Sequence, residues 1–290
     1  MTVAAAIVLY HPTEEIFQNI DSFYREDIPL IVVDNTPDPD IRIYQKLQQH
    51  YNNLIYIANK ENIGIATALN IACNKALELN CNWILTMDQD SCFINFSDYL
   101  QCLYRLQKES ELALIAPNTM WHAKEHLPQK VGCSAEERFL VITSGNFLNL
   151  QYYSEVGGFD DNLFIDMVDH AYCMKLQERD LKILFLKEIM VEHSLGVLHK
   201  RKNLITGKIR NKIEHSPQRV YYITRNSFYL YRKYAKKFPK EFNLLKTLNI
   251  MFIHEVTKII LYEDQKAKKL YAKLLGFFHF LIGKYGKYEL

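Results

Sequence analysis

The 290-residue chain has no run of about 20 apolar residues, no basic leader, no internal repeat and no Gly/Ser-rich tract. A membrane span is therefore disfavoured. The opening "MTVAAAIVLYHP" offers only about eight apolar residues before His11, too few for a secretion signal, and reads as a buried first strand. Six cysteines (Cys73, Cys81, Cys92, Cys102, Cys133, Cys173) are scattered, with no C-x-x-C pair and no metal-ligand spacing. Neither a disulfide framework nor a zinc site is expected, and a reducing cytosol fits this usage. At 49% hydrophobic and 23% charged residues, the chain is ordinary for a globular protein and long enough to bury one sizeable core plus a smaller appendage.

The net charge of +2 hides an asymmetry. Residues 200–290 hold 21 Lys+Arg against 6 Asp+Glu, a balance of +15, which leaves −13 for residues 1–199. Nine of the 19 tyrosines also fall in the basic part, among them Tyr221, Tyr222 and Tyr229. Two regions are expected, 1–200 and 201–290, with different surroundings.

Through the first half, short apolar runs alternate with helical patterns. "VAAAIVLY", "LIVVDN", "NLIYIAN" and "NWILTMDQD" are continuous and rich in Val and Ile, as strands buried on both faces are. Between them lie "TEEIFQNIDSFYR", "PDIRIYQKLQQHY" and "GIATALNIACNKALEL". This alternation gives an α/β class, a mostly parallel sheet with helices on both faces. Ligands then bind beyond the carboxyl ends of the strands, where strand order reverses. Each strand ends there in polar residues: Tyr10-His11, Asp34-Asn35, Asn59 to Asn62, and Asp88-Gln89-Asp90. Further on, "ALIAPN" and "RFLVITSGNFLNL" read as strands, "FIDMVDHAYCMKLQERD" as a helix start and helix, and "LKILFLKEIMVEHSLG" as a last strand or pair.

An Asp-x-Asp at a strand end can simply cap a turn. It can also hold Mg²⁺ or Mn²⁺, because two hard carboxylates leave positions open for phosphate oxygens. Asp34 in "VVDN" can accept from the N–H edge of a pyrimidine or serve as a turn former. Asn62, Gly64 and Asn70 surround a helix start that favours a diphosphate, or merely a capped helix. These three stretches follow one another at intervals of about 26 to 28 residues, which is more specific than any one of them.

Together with "IVLYHP", "SGNFLNLQYYSEVGGFDDNLFIDMVD", "HSLG" and "YYITRNSFYLYRKY", these stretches resemble the inverting glycosyltransferases of family two, GT-A fold, and within it the rhamnosyltransferase branch. The resemblance spans roughly residues 5 to 235. It implies that Tyr10, His11 and Asp34 flank the nucleotide base, that Asn62 and Gly64 lie along the sugar-diphosphate, and that Asp88 and Asp90 hold the metal. It further implies that Ser144, Gly145 and Asn146 wall the sugar site and that His193 closes it near the metal. Asp169 matches the general base by its spacing to Lys175, with Asp166 as second choice; Arg219, Arg225 and Asn226 are candidates to neutralise the diphosphate. One departure is Ala171, where many relatives have a second acid.

The chemistry asks for the same parts. Displacement at an anomeric carbon releases a nucleoside diphosphate, whose charge a metal stabilises, while a carboxylate on the opposite face takes the acceptor's proton. The resemblance, and not the chemistry, implies which sugar moves: a hexose, L-rhamnose from dTDP-rhamnose or a sugar from a UDP-hexose, to a glycan acceptor of a surface polysaccharide or lipopolysaccharide, lipid-linked. Two rivals are a haloacid-dehalogenase-type phosphatase with Asp88 as nucleophile and a non-catalytic nucleotide-sugar scaffold. The first is disfavoured because its motif follows the first strand, and here the motif follows about the fourth. From residue 216 onward the pattern is helical, with Lys among aromatic residues. These helices either pack on the catalytic domain or dock on an anionic membrane surface; no nucleic-acid module accompanies them. The expected location is cytoplasmic, at the inner face of the membrane if docking holds.

Overall fold

A computed structural model describes residues 1–120, 132–193, 198–202 and 209–290. The chain divides into two compact units, Met1–Asp160 with Asp169–Ser194, and Asp161–Val168 with Leu195–Leu290. In the first unit, β1 (Val3–Leu9), β2 (Leu30–Asp34), β3 (Leu54–Ala58) and β4 (Trp83–Asp88) run parallel in the order β3-β2-β1-β4. Every residue of β1 and β2 is buried, which is why these strands read as unbroken apolar runs. One face, carrying Val3, Ala5, Ile7 and Leu9, packs under α1 (Glu15–Asp21), α2 (Ile41–His50) and α4 (Phe96–Leu106). The small residues Ala66, Ala68, Ala72 and Ala76 let α3 (Ile65–Glu78) lie close on β1, β2 and β4.

β2 leaves β1 on one side and β4 flanks it on the other, so strand order reverses between the carboxyl ends of β1 and β4. Beyond β4 the sheet turns mixed. The neighbours in order are β8 (Asn146–Asn149), β6 (Leu112–Met120), β9 (Lys182–His193) and the short β5 (Ser91–Phe93), with β7 (Ala135–Glu137) also on β9. β8 is antiparallel to both β4 and β6, and β5 is antiparallel to β9. The stretch "RFLVITSGNFLNL", expected as one strand, pairs with β4 and β6 only over Asn146–Asn149. Gly145, at φ +84°, ends the irregular part; its N–H donates to the Thr86 carbonyl at 2.8 Å, and a Cβ there would lie 2.6 Å from Pro117. After β8 come α5 (Leu150–Glu155) and α6 (Val168–Gln177).

The cysteine expectation is corrected at one point. Cys102 on α4 and Cys133 form a disulfide, because the fold brings their Cα atoms to 5.2 Å, within bridging reach, across 31 residues of sequence. Cys73, Cys81, Cys92 and Cys173 are free.

The second unit holds an antiparallel pair, β10 (Leu198–Lys202) and β11 (Ile209–Ile213), followed by α7 (Pro217–Tyr234), α8 (Leu244–Leu248), a π-helical turn (Asn249–His254), α9 (Glu255–Tyr262) and α10 (Lys266–Leu281). Ser216 caps α7 by accepting from Arg219 N–H, and Pro217 occupies its first turn, where no N–H is needed. α7 and α10 cross at Gly276. Polar groups fill the space beneath α10: Lys269 bridges Glu214 and Glu263, and His279 shares a 2.7 Å hydrogen bond with Tyr221. Lys273 donates to Thr224, and burial lowers its ammonium to about 8. None of the described helices is long and apolar enough to cross a membrane.

A Cβ on Gly276 would meet the Tyr221 carbonyl oxygen at 2.6 Å. Gly276→Ala is expected to cost about 1–3 kcal/mol of stability in urea denaturation, as overpacking against backbone does.

Candidate functional site

The first unit assembles its chemistry at the switch between β1 and β4. Asp88 is the last residue of β4, and after two intervening residues, Gln89 and Asp90, the chain re-enters the sheet as β5. Gln89 ties the two strand ends together, its side chain accepting from Tyr10 N–H at 2.8 Å and donating to the Tyr10 carbonyl at 3.1 Å. The β5–β9 register sets Ser91 opposite His193, and this pairing carries an imidazole 102 residues away to the Asp-x-Asp. Asp90 Oδ1 lies 3.5 Å from His193 Nδ1, and ligand atoms of Asp88, Asp90 and His193 all fall within 4.8 Å of one another. Two carboxylate oxygens and one imidazole nitrogen suit Mn²⁺ well and Mg²⁺ acceptably.

The electrostatics agree with that donor set. Burial, then the neighbouring Asp90 carboxylate, and to a smaller degree Asp169 push the Asp88 carboxyl up to about 6, against a lowering by His193. Carboxylates this crowded attract a cation or a proton. Beneath them runs a line of hydroxyls that sequence reading found only in part. Ser144 donates to Ser91 at 2.8 Å, and Ser91 Oγ shares a 2.7 Å hydrogen bond with His193 Nδ1. Both serines are fully buried. Ser144 and Gly145, expected along the sugar, thus stand behind the carboxylates, and Ser91, adjacent to the motif, orients the imidazole.

On the other side of the switch, Asp34 closes β2 almost fully buried. Its carboxylate accepts from Thr36 N–H at 2.8 Å and from the Tyr56 hydroxyl at 2.5 Å. Burial and this neighbour raise the Tyr56 phenol far above its ordinary value, so Tyr56 stays a donor. Asn35 donates to the Gly64 carbonyl at 3.1 Å and accepts from Asn59 at 2.8 Å, while Asn62 accepts from Gly64 N–H at 3.1 Å. Gly64 has φ +89°, a conformation that glycine adopts without strain, and stands as the N-cap of α3 with no side-chain cap of its own. Tyr10 is exposed and lies edge-on to His11. A cleft of about 520 Å³ opens beside Asp90, with His11, Asn19, Gln89 and Glu192 in its wall.

Asn70 holds a turn rather than a diphosphate. It accepts from Phe159 N–H and the Tyr153 hydroxyl and donates to the Phe159 carbonyl. Lys175 of α6 donates to the carbonyls of Gly157 and Gly158. Asp169 opens α6 and accepts from His170 N–H at 2.8 Å; Ala171 is fully buried.

Asp166 belongs to the second unit. It and Met167 both have φ +64°, a left-handed pair that L-residues rarely adopt. Their conformation is held from α7: Asn226 donates to the carbonyls of Ile165 and Asp166 at 2.8 and 3.0 Å, and Arg219 pairs with the Asp166 carboxylate. Arg225, expected on the diphosphate, is fully buried, with its guanidinium on the carbonyls of Gly286 and Asn162. Of the "HSLG" stretch only His193 lies among the described residues.

Residues 7–130 match the family model "Glycosyl transferase family 2". The chain is 29% identical over 249 residues to the dTDP-rhamnosyl transferase RfbF of Shigella flexneri, covering 80% of each protein. Among solved structures it is similar to the mannosyltransferase PcManGT from Pyrobaculum calidifontis in complex with GDP-Man and Mn²⁺, at TM-score 0.59 and 10% identity over 97% of this chain and 74% of that one. GalNAc-T7 with UDP, GalNAc and Mn²⁺ gives TM-score 0.57 and 12% identity over 89% of this chain, which spans 57% of that protein. S. aureus TarS 1-349 gives 0.54 and 12% over 100% of this chain and 94% of that one. These likenesses show the GT-A fold.

The raised Asp88 carboxyl sets the sign of a pH effect. With no cation bound, its ionised form is penalised at neutral pH, and protonation relieves the penalty as pH falls through about 6. In EDTA, Asp88→Asn is expected to melt higher than the parent at pH 7, with the gap closing towards pH 5. Added Mn²⁺ should raise the melting temperature of the parent and leave the variant unmoved. Equal melting of both proteins at pH 7 would remove the carboxylate crowding from the account.

Proposed function

We propose that this chain, whose residues 7–130 match the glycosyl transferase family 2 model and which is similar to a dTDP-rhamnosyl transferase, is a sugar transferase of that family, and that it moves L-rhamnose from dTDP-L-rhamnose to a hydroxyl of a lipid-linked surface-polysaccharide or lipopolysaccharide precursor, with inversion. The observation that carries the reading is the convergence of Asp88, Asp90 and His193 at the strand-order switch, with Asp169 close enough to raise the Asp88 carboxyl. The likeness to a dTDP-rhamnosyl transferase supports the choice of donor. The reaction would take place in the cytoplasm, at the inner face of the membrane where such an acceptor is held.

In this reading Asp34, kept in place by Thr36 and Tyr56, faces the base with Tyr10 and His11 at its edge. The first turn of α3, behind Asn62 and with Gly64 as an N-cap that has no side chain, turns a positive dipole end to the diphosphate. A divalent cation, Mn²⁺ or Mg²⁺, held by Asp88, Asp90 and His193 would supply positive charge against the leaving diphosphate. Asp169 accepts the proton of the attacking hydroxyl as the new oxygen–carbon bond forms and the anomeric carbon–diphosphate bond breaks. Ser91 and Ser144 keep the His193 ring in register, and the Asn226 and Arg219 contacts fix the backbone three residues before the base.

Calorimetry with dTDP-rhamnose, UDP-glucose and UDP-galactose, each with and without Mn²⁺, tests the donor. Manganese-dependent preference for dTDP-rhamnose is expected; preference for a UDP-hexose would overturn the rhamnosyl assignment and keep the chemistry. Asp169→Asn should retain donor affinity within about threefold while transfer falls by 10²-fold or more, the scale of losing a general base. Retained transfer would move the role to Asp166.

A further inference from the structure

Helix α10 buries polar side chains and leaves large apolar ones outside, while Leu275, Phe277 and Phe280 also pack against its own unit. Its inward side carries Lys269, Ala272, Lys273, Gly276 and His279, all buried, while Tyr271, Leu274, Phe278, Leu281 and Ile282 stand between 53 and 64% exposed. The spacing of the second set, at three and four residues, makes one continuous apolar stripe on the outer side of the helix. A surface helix ordinarily keeps its outer side polar.

The orientation is fixed by named contacts within the second unit. Lys269 is committed to Glu214 and Glu263, Lys273 to Thr224, and His279 to Tyr221. Gly276 seats the backbone against the Tyr221 carbonyl. Rolling the helix to hide its stripe would strand those buried charges without partners, which costs more than exposing the apolar side chains. The exposed stripe is thus the side left for a partner, and Leu245, Ile253 and Ile260 elsewhere in the unit are exposed as well.

The charge around it says which partner. Exposed Lys266 and Lys268 stand at the start of α10, exposed Lys284 and Lys287 follow its end, and residues 200–290 carry a balance of +15. A second copy of the chain would bring like charges together. An anionic bilayer instead takes the aromatic and aliphatic stripe into its interface and the lysines onto its phosphates. The geometry points to the outer face of α10 as a docking surface for an anionic membrane, the helix lying in the interface plane. This names the surface behind the membrane location proposed above and rests on that reading only for the lipid-linked acceptor.

Flotation of the full chain with vesicles of phosphatidylglycerol and phosphatidylethanolamine, against phosphatidylcholine alone, tests it. Binding to the anionic vesicles that weakens with salt is expected, together with at least a tenfold loss in Leu274→Gln/Phe278→Gln at unchanged melting temperature. Lys266→Gln/Lys268→Gln should bind more weakly at low salt and show a shallower salt dependence. Failure of the parent to float with anionic vesicles, or equal flotation of the Leu274→Gln/Phe278→Gln variant, overturns the proposal. So does a parent that sediments as a dimer, does not float, and becomes monomeric in that variant, since the stripe would then join two copies. Donor calorimetry on the same preparations reads the first unit separately: intact nucleotide binding with no flotation sinks the docking surface alone, and flotation without nucleotide binding sinks the transferase reading alone.

Discussion

Carboxylate crowding at the end of β4 is the constraint around which the first unit is arranged. Asp88, Asp90 and Asp169 come from two separate stretches of the chain, and a fold selected only for stability would keep them apart. The surroundings hold the acids in position. Gln89 locks the β1 and β4 ends together, the β5–β9 register delivers His193, and two buried hydroxyls fix that ring.

The two units place their polar groups by opposite rules. The first hides carbon and concentrates polar atoms on one rim, as a parallel sheet under two layers of helices must. The second hides charge: Arg225, Lys269, Lys273 and Glu263 are all buried, and a row of large apolar side chains is left outside. Buried ion pairs contribute modestly to stability compared with apolar packing. Their value here lies in register, since each pair accepts only one rotation of α10 about its axis.

Much of the first unit could be read from sequence because β1, β2 and β4 are buried almost throughout, and unbroken apolar runs ending in Asp or Asn are hard to mistake; β3, read the same way, is only partly buried because it lies at the sheet edge. β8 was harder. "RFLVITSGNFLNL" is apolar throughout, but Gly145 holds a positive φ and only the four residues after it pair. Ser91 adjoins the motif, but its role is set by its partner across the sheet, His193, which no local pattern shows. The same holds for the Cys102–Cys133 pair, whose proximity is created by the fold. Arg225 is fully buried, and periodicity, which shows that α7 has an apolar side, says nothing of a guanidinium enclosed within it. For α10 the period is plain, and which side faces in is decided by contacts to residues as distant as Glu214.

The left-handed pair at Asp166 and Met167 has a consequence for how this chain can drift. Most side chains resist that backbone conformation, and β-branched ones most of all, so codon changes towards Val, Ile or Thr there are closed irrespective of what the side chain touches. Changes towards Gly or Asn remain open, since both tolerate the handedness. The neighbourhood of the candidate base is therefore filtered by stereochemistry before selection on activity acts.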